Sequence, residues 1–158
     1  LIFTPEMIRK YDFLNLHPAL PGGPIGIWQN VIWELIETGA KETGVMANLA
    51  TEAVDEGPLV TYCTFAIVGG GYDELWDQIR GRSMDDLKAK EGEGLPLFKL
   101  IRQEGIRREQ PLLLETLKAV AEGQIKISRG RILDSSGDDA KTLLLNEEIQ
   151  ASLDRPLR

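Results

Sequence analysis

The chain has one histidine, His17, in the run Asn15-Leu16-His17-Pro18. Further along comes Val54-Asp55-Glu56-Gly57-Pro58. An amide NH2 and an imidazole can each donate to a developing oxyanion. A carboxylate can orient the imidazole, hold its charge, and accept a proton directly or through water. Together these groups suit acyl-transfer chemistry. Two plainer readings stay open on the residues alone: a histidine at a strand end is often a structural hydrogen-bonder, and Asp-x-Gly-Pro is a common turn. A metal site is not expected, because there is one histidine and few carboxylates cluster near it.

These residues need elements to position them. Asp12 to Leu16 reads as a short apolar strand. On an extended strand Asn15 and His17, two apart, point the same way. Pro18 then ends the strand and leaves the pair at its carboxyl end, which borders the ligand cleft in open α/β sheets. Pro18 to Pro24 is a stiff loop of prolines and glycines. Ile27, Trp28, Val31, Ile32, Leu35 and Ile36 recur on one helical face, with Gly39 as the stop. Thr43 to Ala50 and Pro58 to Val68 read as the two strands of an antiparallel hairpin. Asp55 would sit near its tip, within reach of a cleft.

Before this part, Leu1 to Phe3 reads as the end of a strand, and Thr4-Pro5 as a cap and first position of a short helix. After it, Gly69-Gly70-Gly71 reads as a plain turn, since no phosphate-loop pattern follows. Tyr72 to Arg80 and Ser83 to Lys90 read as helices, with Ser83 and Asp86 as a capping box. Glu91 to Gly94 is a break. Leu95 to Glu104 and Pro111 to Glu122 are expected as separate helices. The second would bury Leu113, Leu114, Leu117, Val120 and Ala121. A late hairpin is expected around Gly130, and a final helix from Asn146 to Leu153 with Asn146 as cap. The division expected is 1–70 for the catalytic part and 71–158 for a mostly helical remainder on the same domain.

Composition narrows the class. The 158 residues are 42% hydrophobic and 27% charged, with net charge -7 and a pI of about 4.8. That is ordinary for a globular domain and opposes nucleic acid as a partner, since phosphate-backbone binders present basic patches. Arg102, Arg107 and Arg108 are interrupted by Glu104 and Glu109 and read as a solvated helix face. Cys63, the only cysteine, sits in a β-rich run and reads as a buried, inert thiol. No apolar stretch approaches membrane-helix length and no signal-peptide pattern is seen. The expected location is the cytoplasm, with no membrane partner.

The run Asn15-Leu16-His17-Pro18-Ala19-Leu20-Pro21-Gly22-Gly23, an amphipathic helix, Thr43-Gly44 and Val54-Asp55-Glu56-Gly57-Pro58 together resemble the folate-dependent formyltransferase family. The resemblance covers about Leu1 to Val68. It implies an α/β fold with a Rossmann-type three-layer sheet, here without its amino-terminal strands and with a helical carboxyl-terminal extension. It implies formyl transfer from 10-formyltetrahydrofolate to a small-molecule amine, of glycinamide ribonucleotide type, in purine biosynthesis. No metal is implied, and a homodimer is possible. By resemblance Asn15 and His17 stabilise the tetrahedral oxyanion, and Asp55 supports His17 and relays the proton. Thr51, Glu52, Ala53, Val54 and Asp55 would cradle the pterin, with Ile2 lining the same pocket. Two departures stand out. Ala19 replaces the usual serine, and Asn48 stands where many members carry a second histidine.

The family fold begins with strand-helix-strand units that hold the acceptor phosphate, and the chain opens directly in Leu1-Ile2-Phe3. It therefore reads as the carboxyl-terminal part of such an enzyme, weakly active or inactive alone. Two other readings compete: hydrolysis of 10-formyltetrahydrofolate, with water as acceptor, and a non-catalytic folate-binding module. A tRNA acceptor is disfavoured, because no basic tail follows the catalytic segment.

Overall fold

The computed structural model describes residues 4–52 and 56–155. The strand expected at Leu1 to Phe3 lies outside them. In chain order the elements are α1 (Pro5–Lys10), β1 (Leu14–His17), α2 (Trp28–Glu37), β2 (Glu42–Leu49), β3 (Leu59–Ala66), α3 (Gly71–Ile79), α4 (Met84–Lys90), a 3-10 turn (Gly92–Gly94), α5 (Pro96–Ala121), β4 (Lys126–Ser128), β5 (Arg131–Leu133), β6 (Leu143–Leu144) and α6 (Asn146–Leu153). No helix among the described residues is long and apolar enough to cross a membrane.

The fold is mixed α/β. A sheet of order β1-β2-β3-β6 is antiparallel across its first three strands and parallel between β3 and β6. β4 and β5 form a separate hairpin. The expected β2–β3 hairpin is present. So is the α1 start, where Thr4 Oγ1 accepts from the Met7 N–H at 3.3 Å beside Pro5. In α2 the residues Val31, Ile32, Leu35 and Ile36 are buried, as their spacing requires. Gly39 ends that helix in the left-handed region at φ 63°. β1 runs to His17 rather than stopping at Leu16. β6 has only two residues, too few to show a period, and its place comes from pairing with Thr61 and Tyr62.

The two helices expected on either side of residue 105 are one helix of 26 residues with Pro111 inside it. Proline removes one backbone donor and usually bends or breaks a helix. Here burial on both sides of it, Phe98 and Ile101 before and Leu112 and Ala119 after, keeps the two halves in one continuous helix. Continuity also changes the inward face. Leu112, Thr116 and Ala119 are buried, whereas Leu114 is 57% and Leu117 49% exposed. Of the rest of the expected stripe, Leu113 and Val120 are half-buried and Ala121 is exposed. The most apolar face of the second half, taken alone, is not the face in phase with Phe98, Ile101 and Gly105.

Two expected caps are not formed. Ser83 precedes α4 but makes no side-chain cap, so the capping box with Asp86 is absent. Asn146 is the first residue of α6 rather than its cap. Its Oδ1 accepts from the Thr64 N–H at 2.7 Å and its Nδ2 donates to Thr64 Oγ1 at 3.1 Å. A side-chain amide thus prolongs the edge that β6 begins. Cys63 is buried, and burial pushes its thiol pKa up, which fits an inert role.

Candidate active site

The ladder between β1 and β2 sets the site. Asn15 lies opposite Asn48 and His17 opposite Met46. Directly opposed residues project to one face, so Asn15, His17, Met46 and Asn48 share a face. Leu14, Leu16, Ala47 and Leu49 turn the other way, and each belongs to or packs against the hydrophobic core. The expectation that Asn15 and His17 point the same way holds. Beside Asn48 the β2–β3 register slips: Ala47 pairs with Thr61 but Asn48 with Leu59, passing over Val60. Such a bulge re-aims nearby side chains.

His17 and Asn48 are each only 2% exposed. His17 Nε2 lies 2.8 Å from the Pro24 carbonyl oxygen. A carbonyl only accepts, so Nε2 carries the proton and donates to it. Nδ1 is then the ring's acceptor nitrogen. The bond also holds the Pro18–Ile27 loop against the imidazole, and that loop continues to Trp33 without a charged residue. Asn15 Nδ2 donates to Asn48 Oδ1 at 3.2 Å, and Asn48 Nδ2 donates to the Leu49 carbonyl at 3.4 Å. Pro24 and Asn48 were not legible as partners of His17 and Asn15. The one signal was that Asn48 stands where the resemblance leads one to expect an imidazole.

Asp55, Ala53, Val54 and Ile2 lie outside the described residues. The ends of the Asp55 loop are anchored next to Asn48. The Leu49 N–H donates to the Pro58 carbonyl at 2.9 Å, and the Ala50 N–H to the Phe13 carbonyl at 2.8 Å. The loop therefore leaves the sheet beside Asn15, at the start of β1, with His17 two residues further along.

Thr51 and Glu52 are exposed and line a cavity of about 430 Å³ with the end of α1 and the β4–β5 turn. Asn15 and His17 are not among its lining residues. Glu52 accepts from Arg9 Nη1 at 2.7 Å across it. Asp12 accepts from the Arg129 and Gly130 N–H groups at 3.2 and 2.7 Å and so fixes the turn that forms the far wall. Arg9 was not anticipated as part of this region. Among the described residues no cluster of three His, Cys, Asp or Glu could hold a metal ion.

Comparison with known proteins bears on the family and the fold. Residues 1–77 match the family model described as formyl transferase. No curated protein sequence matches the chain. Among solved structures, phosphoribosylglycinamide formyltransferase from Coxiella burnetii aligns with a TM-score of 0.54 at 17% identity, covering 91% of this chain and 57% of that one. The enzyme of the same name from Anaplasma phagocytophilum aligns with a TM-score of 0.51 at 16% identity, covering 90% and 58%. This chain thus spans a little over half the length of those structures. At these identities the likeness is one of fold.

Proposed function

We propose, from the match of residues 1–77 to the formyl transferase family model, that the chain transfers a formyl group from 10-formyltetrahydrofolate to an amine. The observation that carries the reading is a shared face. The family's amide and imidazole, Asn15 and His17, stand on one side of β1 with hydrogen-bonded partners that fix both groups.

The chemistry follows from the donors. The acceptor nitrogen attacks the formyl carbon, a C–N bond forms, and the carbonyl oxygen becomes an oxyanion. An Asn15 Nδ2 hydrogen stabilises it. With Nε2–H donated to Pro24, Nδ1 is the atom of His17 that would take a proton from the attacking amine. The Nδ1–H of the resulting imidazolium hydrogen-bonds to the oxyanion, and that one proton then passes to the departing folate nitrogen as its bond to the formyl carbon breaks and the carbonyl re-forms. We assign Asp55 the support of that imidazolium, and Thr51 and Glu52 a place beside the pterin. The acceptor we favour is glycinamide-ribonucleotide-like, the amine class named for the two structures whose fold this chain shares. Purine biosynthesis in the cytoplasm is the setting that this acceptor implies.

The experiment is to follow tetrahydrofolate release from 10-formyltetrahydrofolate with and without glycinamide ribonucleotide. Amine-dependent acceleration, with formylated product in equal amount, supports transfer. Release that is indifferent to the amine contradicts it and indicates hydrolysis.

A further inference from the structure

The resemblance assigns no role to the asparagine that stands at position 48, yet this residue is more buried than Asn15 and is bonded to it. We infer that Asn48 is a positioning residue. Its side chain dictates which end of the Asn15 amide faces the reacting carbonyl, and it does so with a group that does not titrate. The catalytic part of this inference rests on the formyl-transfer reading above; the positioning part does not.

The orientation follows from a chain of obligate donors and acceptors. The Leu49 carbonyl only accepts, so the Asn48 atom facing it at 3.4 Å is Nδ2. Oδ1 of Asn48 must then face β1. The Asn15 atom lying 3.2 Å from it must be a donor, which is Nδ2. An Asn15 amide turned the other way would set two carbonyl-type oxygens against each other at a buried position, where an unmade hydrogen bond is costly. One Nδ2 hydrogen of Asn15 is thereby directed to Asn48, which fixes the amide's orientation on the face it shares with His17. The far end of the chain is equally fixed. Gly57 lies so close to the Leu49 oxygen that an added Cβ would come within 1.7 Å. Gly57, the Leu49 carbonyl, Asn48 and Asn15 thus follow one another in close approach.

An imidazole at position 48 could play the same part only while neutral, with one nitrogen accepting from Asn15 and the other donating to Leu49. Protonation would turn its acceptor into a donor and invert the Asn15 amide. The titratable groups on this face of the adjoining strands are His17 on β1 and Tyr62 on β3, and Glu52 just past β2 is paired with Arg9. None of these bonds Asn48 in the described contacts. Asparagine keeps the amide of Asn15 in one orientation at every pH.

The test uses Asn48→Leu and Asn48→His in the whole chain, with two readouts. The first is kcat and KM for 10-formyltetrahydrofolate against pH. The second is solvent exchange of the Asn15 side-chain NH2 protons by 15N NMR without substrate. Asn48→Leu should lower kcat by about tenfold or more while leaving the donor KM within about twofold, since the lost interaction acts on the transition state. It should also remove the slow exchange of the Asn15 NH2. Asn48→His should approach wild-type rate in alkali and acquire an added loss of rate below about pH 6.5 that wild type lacks. An Asn48→Leu protein with unchanged kcat and unchanged Asn15 exchange would overturn the inference. So would an Asn48→His protein whose pH profile runs parallel to wild type. If no variant transfers formyl groups, the functional reading fails, and the exchange comparison alone decides whether Asn48 orients Asn15.

Discussion

Gly57 lies against the carbonyl oxygen of Leu49, and a Cβ built on it would stand 1.7 Å from that oxygen. The glycine of the Asp-x-Gly-Pro motif is therefore required by close packing against β2 and not by an unusual backbone angle. The contact ties the Asp55 loop to the strand that carries Asn48. Gly57→Ala must push the loop away from β2. Displacements of about 1 Å at a reacting site cost on the order of 10² in rate. The expected outcome is a drop of that order in formyl transfer in a protein that still folds, checked by kinetics beside circular dichroism.

Gly105 gives the opposite result. It is a buried glycine in the middle of α5, and an added Cβ would meet nothing within 4 Å. It borders a cavity of about 10 Å³ with Thr43, Phe65 and Ile101. Gly105→Ala should stabilise the fold by roughly 0.5–1 kcal/mol, because glycine costs about that much in a helix interior. Chemical denaturation should show a raised midpoint with unchanged slope.

Thr61 on β3 and Thr116 on α5 share a buried hydrogen bond of 2.6 Å. Thr116 gives its one proton to the Leu112 carbonyl at 2.7 Å, so Thr61 is the donor between them. The two valine substitutions should therefore differ. Thr116→Val strands a buried O–H and should cost about 1–3 kcal/mol, whereas Thr61→Val removes a donor that Thr116 does without, at roughly 0.5–1.5 kcal/mol. Equal losses in urea titrations would show that the proton assignment is wrong.

Glu104 predicts an acid-sensitive step in stability. Burial alone would raise its carboxyl pKa, but hydrogen bonds and charge from Arg108 and Arg107 outweigh that and hold it below the ordinary value. A lowered folded-state pKa contributes stability above the unfolded value, about pH 4.3 for glutamate. That contribution is lost as the pH falls below this value and through the depressed one. Burial and the Glu104 charge also push the neighbouring Tyr72 hydroxyl up to about 12. Thermal melts of Glu104→Gln should fall less steeply with acid than those of wild type. Identical acid limbs would remove Glu104 from the account.

What could be read in the sequence was whatever depends on near neighbours. The α2 face, the β2–β3 hairpin, the Thr4-Pro5 start and the common direction of Asn15 and His17 all follow from periods of two or 3.6 and from local caps. What could not be read depends on distant partners. Whether α5 survives Pro111, and which face it buries, is decided by the sheet beneath it. Asn146 looks like a helix cap until Thr64 supplies a better partner across the β3 edge. The Asn15–Asn48 bond needs the β1–β2 register and the bulge at Val60, neither of which has a local signature. The Asp55 side of the site rests on the family resemblance and on the anchoring of its loop ends.

The central claim is that the His17 imidazole and the Asn15 amide act on a formyl group, and one comparison tests it most directly. The rate of formyl loss from 10-formyltetrahydrofolate in the presence of the acceptor amine should be measured for wild type and for His17→Ala. Loss of one group that stabilises an oxyanion should lower the rate on the order of 10²–10³, with the fold intact by circular dichroism. Indistinguishable rates in the two folded proteins would contradict the account and leave the conserved-fold, non-catalytic folate-binding reading in its place.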